Sequence, residues 1–184
     1  MRKWIGWAGL VFAGLMAWSA LANAEPPLDG DMEGWLLDAA PSQTPGYTIE
    51  TGDGASVGPD ELAGNYILMN FWATWCAPCV EEMPSLDRLQ AAYQDHPLKV
   101  VAVSIDRGGI RAVEPFFDRV GIEALDVYLD PMAHTMIAFK TRGVPTTLLI
   151  SPDGKLLGRF EGEAEWDGPA AKALVDYYLA QSTS

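Results

Sequence analysis

Cys76 and Cys79 are the only two cysteines of the chain, and the stretch that carries them, residues 70–84, reads NFWATWCAPCVEEMP. Two thiols with two residues between them can form a redox couple, clip a metal or staple a fold. The staple is the weaker reading, because a bridge of that span closes too small a loop to hold a domain of this size. A structural zinc ion takes about four ligands, and beyond the thiols the chain offers only His96 and His134 as nitrogen donors, neither at finger-like spacing. Redox chemistry remains, and it calls for the pair to sit at a strand-to-helix junction.

The flanking residues supply that junction. Tyr66-Ile67-Leu68-Met69-Asn70-Phe71-Trp72 is a nearly continuous apolar run, the pattern of a central strand buried on both faces. After Cys79, apolar residues recur at Val80, Met83, Leu86, Leu89 and Tyr93 with polar residues between them, close to helical spacing. Pro78 stands in the first turn, where its missing N–H removes no hydrogen bond. Cys76 is therefore expected at the helix N-terminus, where free N–H groups and the helix dipole favour a thiolate. Cys76 is the expected nucleophile. Cys79, held inside the first turn, is the expected resolving thiol.

Further along, residues 98–105 form a second buried run, 111–120 and 133–140 have helical patterns, and 127–129 read as a short strand. Residues 146–151 and 156–160 flank Pro152-Asp153-Gly154-Lys155, a hairpin signal, and a helix is expected over 167–180. Upstream, 47–51 and 55–57 flank Gly52-Asp53-Gly54 and suggest another hairpin. Interleaved strands and helices imply an α/β fold. Residues 25–46, with prolines at 26, 27, 41 and 45, read as an irregular leader to a single domain over 47–184.

The first 24 residues are of another kind. Met1-Arg2-Lys3 is basic, Trp4 to Leu21 is apolar apart from Ser19, and Ala22-Asn23-Ala24 has the small-residue form of a cleavage site. This reads as a secretory signal, with an uncleaved membrane anchor as the alternative. Both place the domain outside the cytoplasm. Cleavage would remove Arg2 and Lys3 from the 12 basic residues and none of the 25 acidic ones, taking the net charge from −13 to −15. Nucleic acid is excluded as a partner, since phosphate binding is driven by Lys and Arg.

Together, NFWATWCAPC, the following EMP, GVPT at 143–146, LLISPDGKLLGRF and GEAEWD at 162–167 resemble the TlpA/ResA/CcmG group of exported thioredoxin-like reductases, TlpA most of all. The resemblance covers roughly residues 45–181. It implies a thioredoxin fold with a central insertion and an additional N-terminal β-hairpin. It also implies a cis Pro145 facing the cysteines and a substrate groove formed by Trp75, Pro78, Val144 and Pro145, with the Val144 backbone pairing with a client strand. No cofactor and no metal are implied. The implied partners are disulfide-containing clients and a membrane electron donor of the DsbD or CcdA type, and the protein is expected to be a periplasmic monomer.

Thioredoxin carries a buried aspartate where this chain has Asn70, which does not titrate. Glu82, three positions after Cys79 on the same helix face, is the nearest candidate for proton handling. The competing reading is a solvated glutamate in a first helical turn. Trp72 is expected in the core, Trp166 at a packed edge and Glu81 on the surface, while Trp35 has no assignment. The uncharged Ala77-Pro78 linker favours a reductant, because a strongly stabilised thiolate is what makes such a couple oxidising. The expected client pathways are cytochrome c maturation or oxidase copper-site assembly. The alternatives are an oxidising foldase and a Cu(I) carrier that uses both thiolates. The related Sco-type carriers have a wider cysteine gap and a later histidine that His134 does not match.

Overall fold

The computed structural model describes residues 25–181; the expected signal segment lies outside the described residues. Among the described residues no helix is long and apolar enough to cross a membrane. The strands are β1 (Leu36–Gln43), β2 (Ile49–Thr51), β3 (Ser56–Val57), β4 (Tyr66–Trp72), β5 (Leu98–Ser104), β6 (Tyr128–Leu129), β7 (Thr146–Ile150) and β8 (Lys155–Glu161). The helices are α1 (Pro59–Leu62), α2 (Ala77–Ala92), α3 (Ile110–Val120), α4 (His134–Ala138) and α5 (Pro169–Gln181).

The strands form one sheet in the order β1-β8-β7-β4-β5-β6-β2-β3. β4 runs parallel to β5, and β5 to β6, while the remaining pairs are antiparallel. This is the α/β thioredoxin fold. Its central insertion contributes β6 and α4 between β5 and β7, and the additional hairpin β2–β3 extends the sheet by pairing with β6.

Every residue of β4 is buried, because the strand has a neighbour on each edge and packed side chains on each face. Alternation divides it. Leu68 and Trp72 face the core beneath α2, α3 and α5, whereas Ile67, Met69 and Phe71 face a second core with Ile49, Leu62 and Phe139. Asn70 shares the parity of Leu68 and Trp72, so it points a polar amide into the α2 side.

The leader is not irregular. A 3₁₀ turn at Gly30–Met32 leads into β1, which pairs antiparallel with β8, Leu36 opposite Arg159 and Leu37 opposite Gly158. Met32 and Trp35 are buried in the α2-side core, so the folded unit begins well before residue 47. Two features hid this strand. It is an edge strand with a register shift between Leu37 and Ser42, which tolerates Pro41, and its partner lies more than a hundred residues away. Gly158 is required there, since a Cβ would clash with Trp35 Nε1 and with the backbone oxygen of Leu36.

Where the other bounds differ from expectation they do so by one or two residues, as at α4 and β6, where the regular hydrogen bonding is shorter than the apolar pattern. α1 was not expected; its four residues are too few to show a period, although Glu61 caps it by accepting from Gly58 N at 2.7 Å.

Candidate active site

Cys76 is the N-cap of α2, with Ala77 and Pro78 in the first turn. Its backbone N–H donates to Ala73 O at 3.1 Å, and its sulfur accepts from Cys79 N at 3.4 Å. Cys76 and Cys79 are joined as a disulfide with Cα atoms 5.3 Å apart. Both are buried, Cys79 completely. The pair therefore has a sulfur at the helix N-terminus, near the surface, and a second sealed beneath it. Helix geometry favours negative charge on the first.

The loop that delivers Cys76 is pinned from β5. Thr74 N donates to Asp106 Oδ2 at 2.8 Å and Thr74 Oγ1 to Asp106 Oδ1 at 2.7 Å, while Ser104 Oγ donates to Asp106 Oδ2 at 2.8 Å. Asp106 did not stand out in the sequence. Its position two residues after Ser104, at the end of an apolar run, is the only signal it leaves.

The residues expected to form the groove divide. Trp75 and Pro78 are exposed, Val144 is half-buried and packs against both cores, and Pro145 is buried behind a cis Val144–Pro145 bond. Pro145 O accepts from Gly162 N at 3.0 Å, which ties this segment to the loop after β8.

Glu82 is not a solvated first-turn glutamate. It is 3% exposed, and three donors converge on its carboxylate. Asn70 Nδ2 donates to Oε1 at 2.7 Å, and Trp166 Nε1 and Ala164 N donate to Oε2 at 2.9 Å and 3.2 Å. Asn70 Nδ2 also donates to Thr147 Oγ1 at 2.9 Å, its cross-strand partner on β7. Burial pushes the Glu82 carboxyl up to about 7, against the lowering effect of the hydrogen bonds from Trp166, Asn70 and Ala164; the charge of Glu163 adds to the rise. A carboxyl that titrates near neutrality, one helical turn from Cys79, is suited to exchange a proton with it.

One face of α2 holds the loop that supplies those donors. Ser85 Oγ accepts from Trp166 N at 3.0 Å, and Arg88 bonds both Asp167 at 2.6 Å and Glu165 at 2.9 Å. Trp166 is not at a packed edge: it is buried with its ring edge-on to Trp35 and Phe160. Trp72 is in the core as expected, and Glu81, His96 and His134 are exposed. Among the described residues no cluster of three or more His, Cys, Asp or Glu side chains is arranged to hold a metal.

The Redoxin family matches residues 38–175. The chain belongs to that family. Within it, the chain is 31% identical to the thiol-disulfide oxidoreductase ResA of Halalkalibacterium halodurans over 66% of this chain and 68% of that one. It is also 31% identical to ResA of Bacillus subtilis, over 63% of this chain and 64% of that one. These alignments span about two thirds of the relatives' own length. Among solved structures, a Chlorobium tepidum protein assigned as the thiol:disulfide interchange protein DsbE superposes with a TM-score of 0.69 at 29% identity, covering 78% of this chain and 99% of that one. The chain is thus a Redoxin of the TlpA/ResA/CcmG-like group and a thiol-disulfide oxidoreductase with one cysteine pair. Redox partner proteins are the substrates of that chemistry.

Proposed function

We propose that this Redoxin is a periplasmic protein-disulfide reductase that serves specific exported clients, in cytochrome c maturation or in assembly of an oxidase copper site. The observation that carries the reading is Cys76 at the N-cap of α2 with Cys79 wholly buried behind it. In the reduced protein the Cys76 thiolate attacks a client disulfide, forming the mixed disulfide and expelling the first client thiolate. Cys79 then gives its proton to the Glu82 carboxylate and attacks Cys76 Sγ. This closes the Cys76–Cys79 bridge and releases the second client thiolate. The client gains two electrons and the protein loses two.

Trp75, Pro78, Val144 and Pro145 border the reacting sulfurs, with the Val144 backbone pairing with the client strand. A membrane donor of the DsbD or CcdA type returns the electrons, and residues 1–24 direct export, whether cleaved or kept as an anchor. The protein acts as a monomer without a cofactor.

Trapping tests the assignment of the two thiols. Cys79→Ala, expressed in the native compartment, is expected to accumulate mixed disulfides through Cys76, and Cys76→Ala is expected to accumulate none. Equal trapping by the two variants contradicts the asymmetry.

A further inference from the structure

The loop after β6 meets the loop after β5 beside the thiol pair. Met132 and Trp75 are 68% and 67% exposed there, and both line one groove of about 630 Å³ together with Ile105, Arg107 and Pro131. Single exposed apolar side chains are ordinary. These two share a groove, and Trp75 directly precedes Cys76, so the groove opens beside the redox centre.

The exposure of Met132 is not the result of a slack loop. Asp130 N donates to Ser104 O at 2.8 Å, and Ala133 N closes back on Asp130 O at 2.8 Å. The Asp130 carboxylate accepts from the backbone N–H groups of His134, Thr135 and Met136. Ala133 is left-handed, with φ of 55°, an unfavourable conformation for a residue with a Cβ. A rigid turn holds the methionine in water.

The two charged residues of the groove are unequal. Asp106 is buried and spends both carboxylate oxygens on Thr74 and Ser104. Arg107 is exposed and forms no ion pair among the described residues. In a chain of net charge −13, this groove presents a cation next to a thioether and an indole.

We infer that Met132 and Arg107 select the client: they seat an extended client segment, flanking its reacting cysteine, that bears an apolar side chain for Met132 and Trp75 and a carboxylate for Arg107. The inference rests on the reading of Cys76 as the attacking thiol. Methionine is flexible and polarisable, so the apolar residue is not limited to one shape. The carboxylate steers the encounter and fixes which way the segment lies.

The test uses the wild-type protein, returned to the dithiol after each turnover by dithiothreitol whose direct reaction is subtracted, and short peptides whose single cysteine is capped by mercaptoethanol as a mixed disulfide. One peptide carries Leu and Asp beside the cysteine, a second Leu and Lys, a third Ser and Asp. The Leu-Asp peptide is expected to have the lowest KM. Met132→Ser is expected to raise that KM severalfold with kcat unchanged. Arg107→Glu is expected to reverse the preference between Asp and Lys peptides, which a merely structural role would not do. Ile137→Ser, exposed but outside the groove, is expected to change nothing, and all variants should reduce neutral hydroxyethyl disulfide at the wild-type rate.

Equal KM values for the three peptides, or no reversal in Arg107→Glu, overturn the inference while leaving the reductase intact. Self-association of the wild type that Met132→Ser abolishes gives the groove to a second copy and also overturns it. Failure of the wild type to reduce hydroxyethyl disulfide removes the reductase reading, and this inference with it.

Discussion

Trp166 Nε1 donates a 2.9 Å hydrogen bond to Glu82 Oε2, joining side chains 84 positions apart in the chain. The contact places the loop after β8 over the carboxyl that lies one turn from Cys79, and it favours the charged form of that carboxyl against burial.

Trp166→Phe removes that donor and retains most of the ring packing against Trp35 and Phe160. The Glu82 carboxyl is then expected to titrate higher than in the wild type. With more of it protonated at neutrality, it accepts a proton less readily, so disulfide exchange slows and its pH profile moves to higher pH. The variant should lose about 1–3 kcal/mol of stability from the smaller buried ring. Stopped-flow exchange rates across pH check this. A slower rate with an unmoved profile would assign Trp166 to packing alone.

Glu82→Gln keeps the shape of the side chain and removes its titration. The Asn70 amide can turn over to meet it, since Asn70 Oδ1 has no hydrogen-bond partner among the described residues, at the cost of the Nδ2 bond to Thr147 Oγ1. Exchange near neutral pH is expected to fall about tenfold or more, with the loss of one ionisation from the rate profile. Wild-type rates from mildly acidic to mildly alkaline pH would show that the carboxyl takes no part in proton transfer.

The same substitution has a thermodynamic signature. Burial pushes the Glu82 carboxyl from its ordinary 4.5 up to about 7 in the folded protein, so the native state holds the proton more tightly. Its contribution to stability is fully present below 4.5 and is lost as pH rises through about 7. The loss is about 3 kcal/mol. Glu82→Gln, which resembles the neutral acid, should match the wild type in acid and exceed it by up to that amount in mild alkali. Urea unfolding of both oxidised proteins at the two pH extremes measures the difference. Parallel curves at every pH would contradict the burial of a titrating carboxyl.

How much of this was legible depended on whether the cause was local. The strand Tyr66–Trp72 and the helix after Cys76 carry their patterns within their own residues, so the position of Cys76 could be read directly. Glu82 could be singled out by its spacing from Cys79. Its burial could not, because the side chains that enclose it, Asn70 and Trp166, come from a strand and a loop distant in sequence. The edge strand Leu36–Gln43 contains a proline and gains its order from β8, so its residues alone read as irregular. Asp106 is one acid among 25 until Thr74 is seen bonded to it.

The central claim is that the Cys76–Cys79 couple runs as a reductant, and its midpoint potential tests that most directly. Equilibrating the domain in dithiothreitol or glutathione buffers and counting free thiols by mass gives the value. With the uncharged Ala77-Pro78 linker between the cysteines, the account predicts a midpoint nearer the roughly −270 mV of thioredoxin than the roughly −120 mV of DsbA. A midpoint close to the DsbA value would contradict the account and make the protein an oxidising foldase.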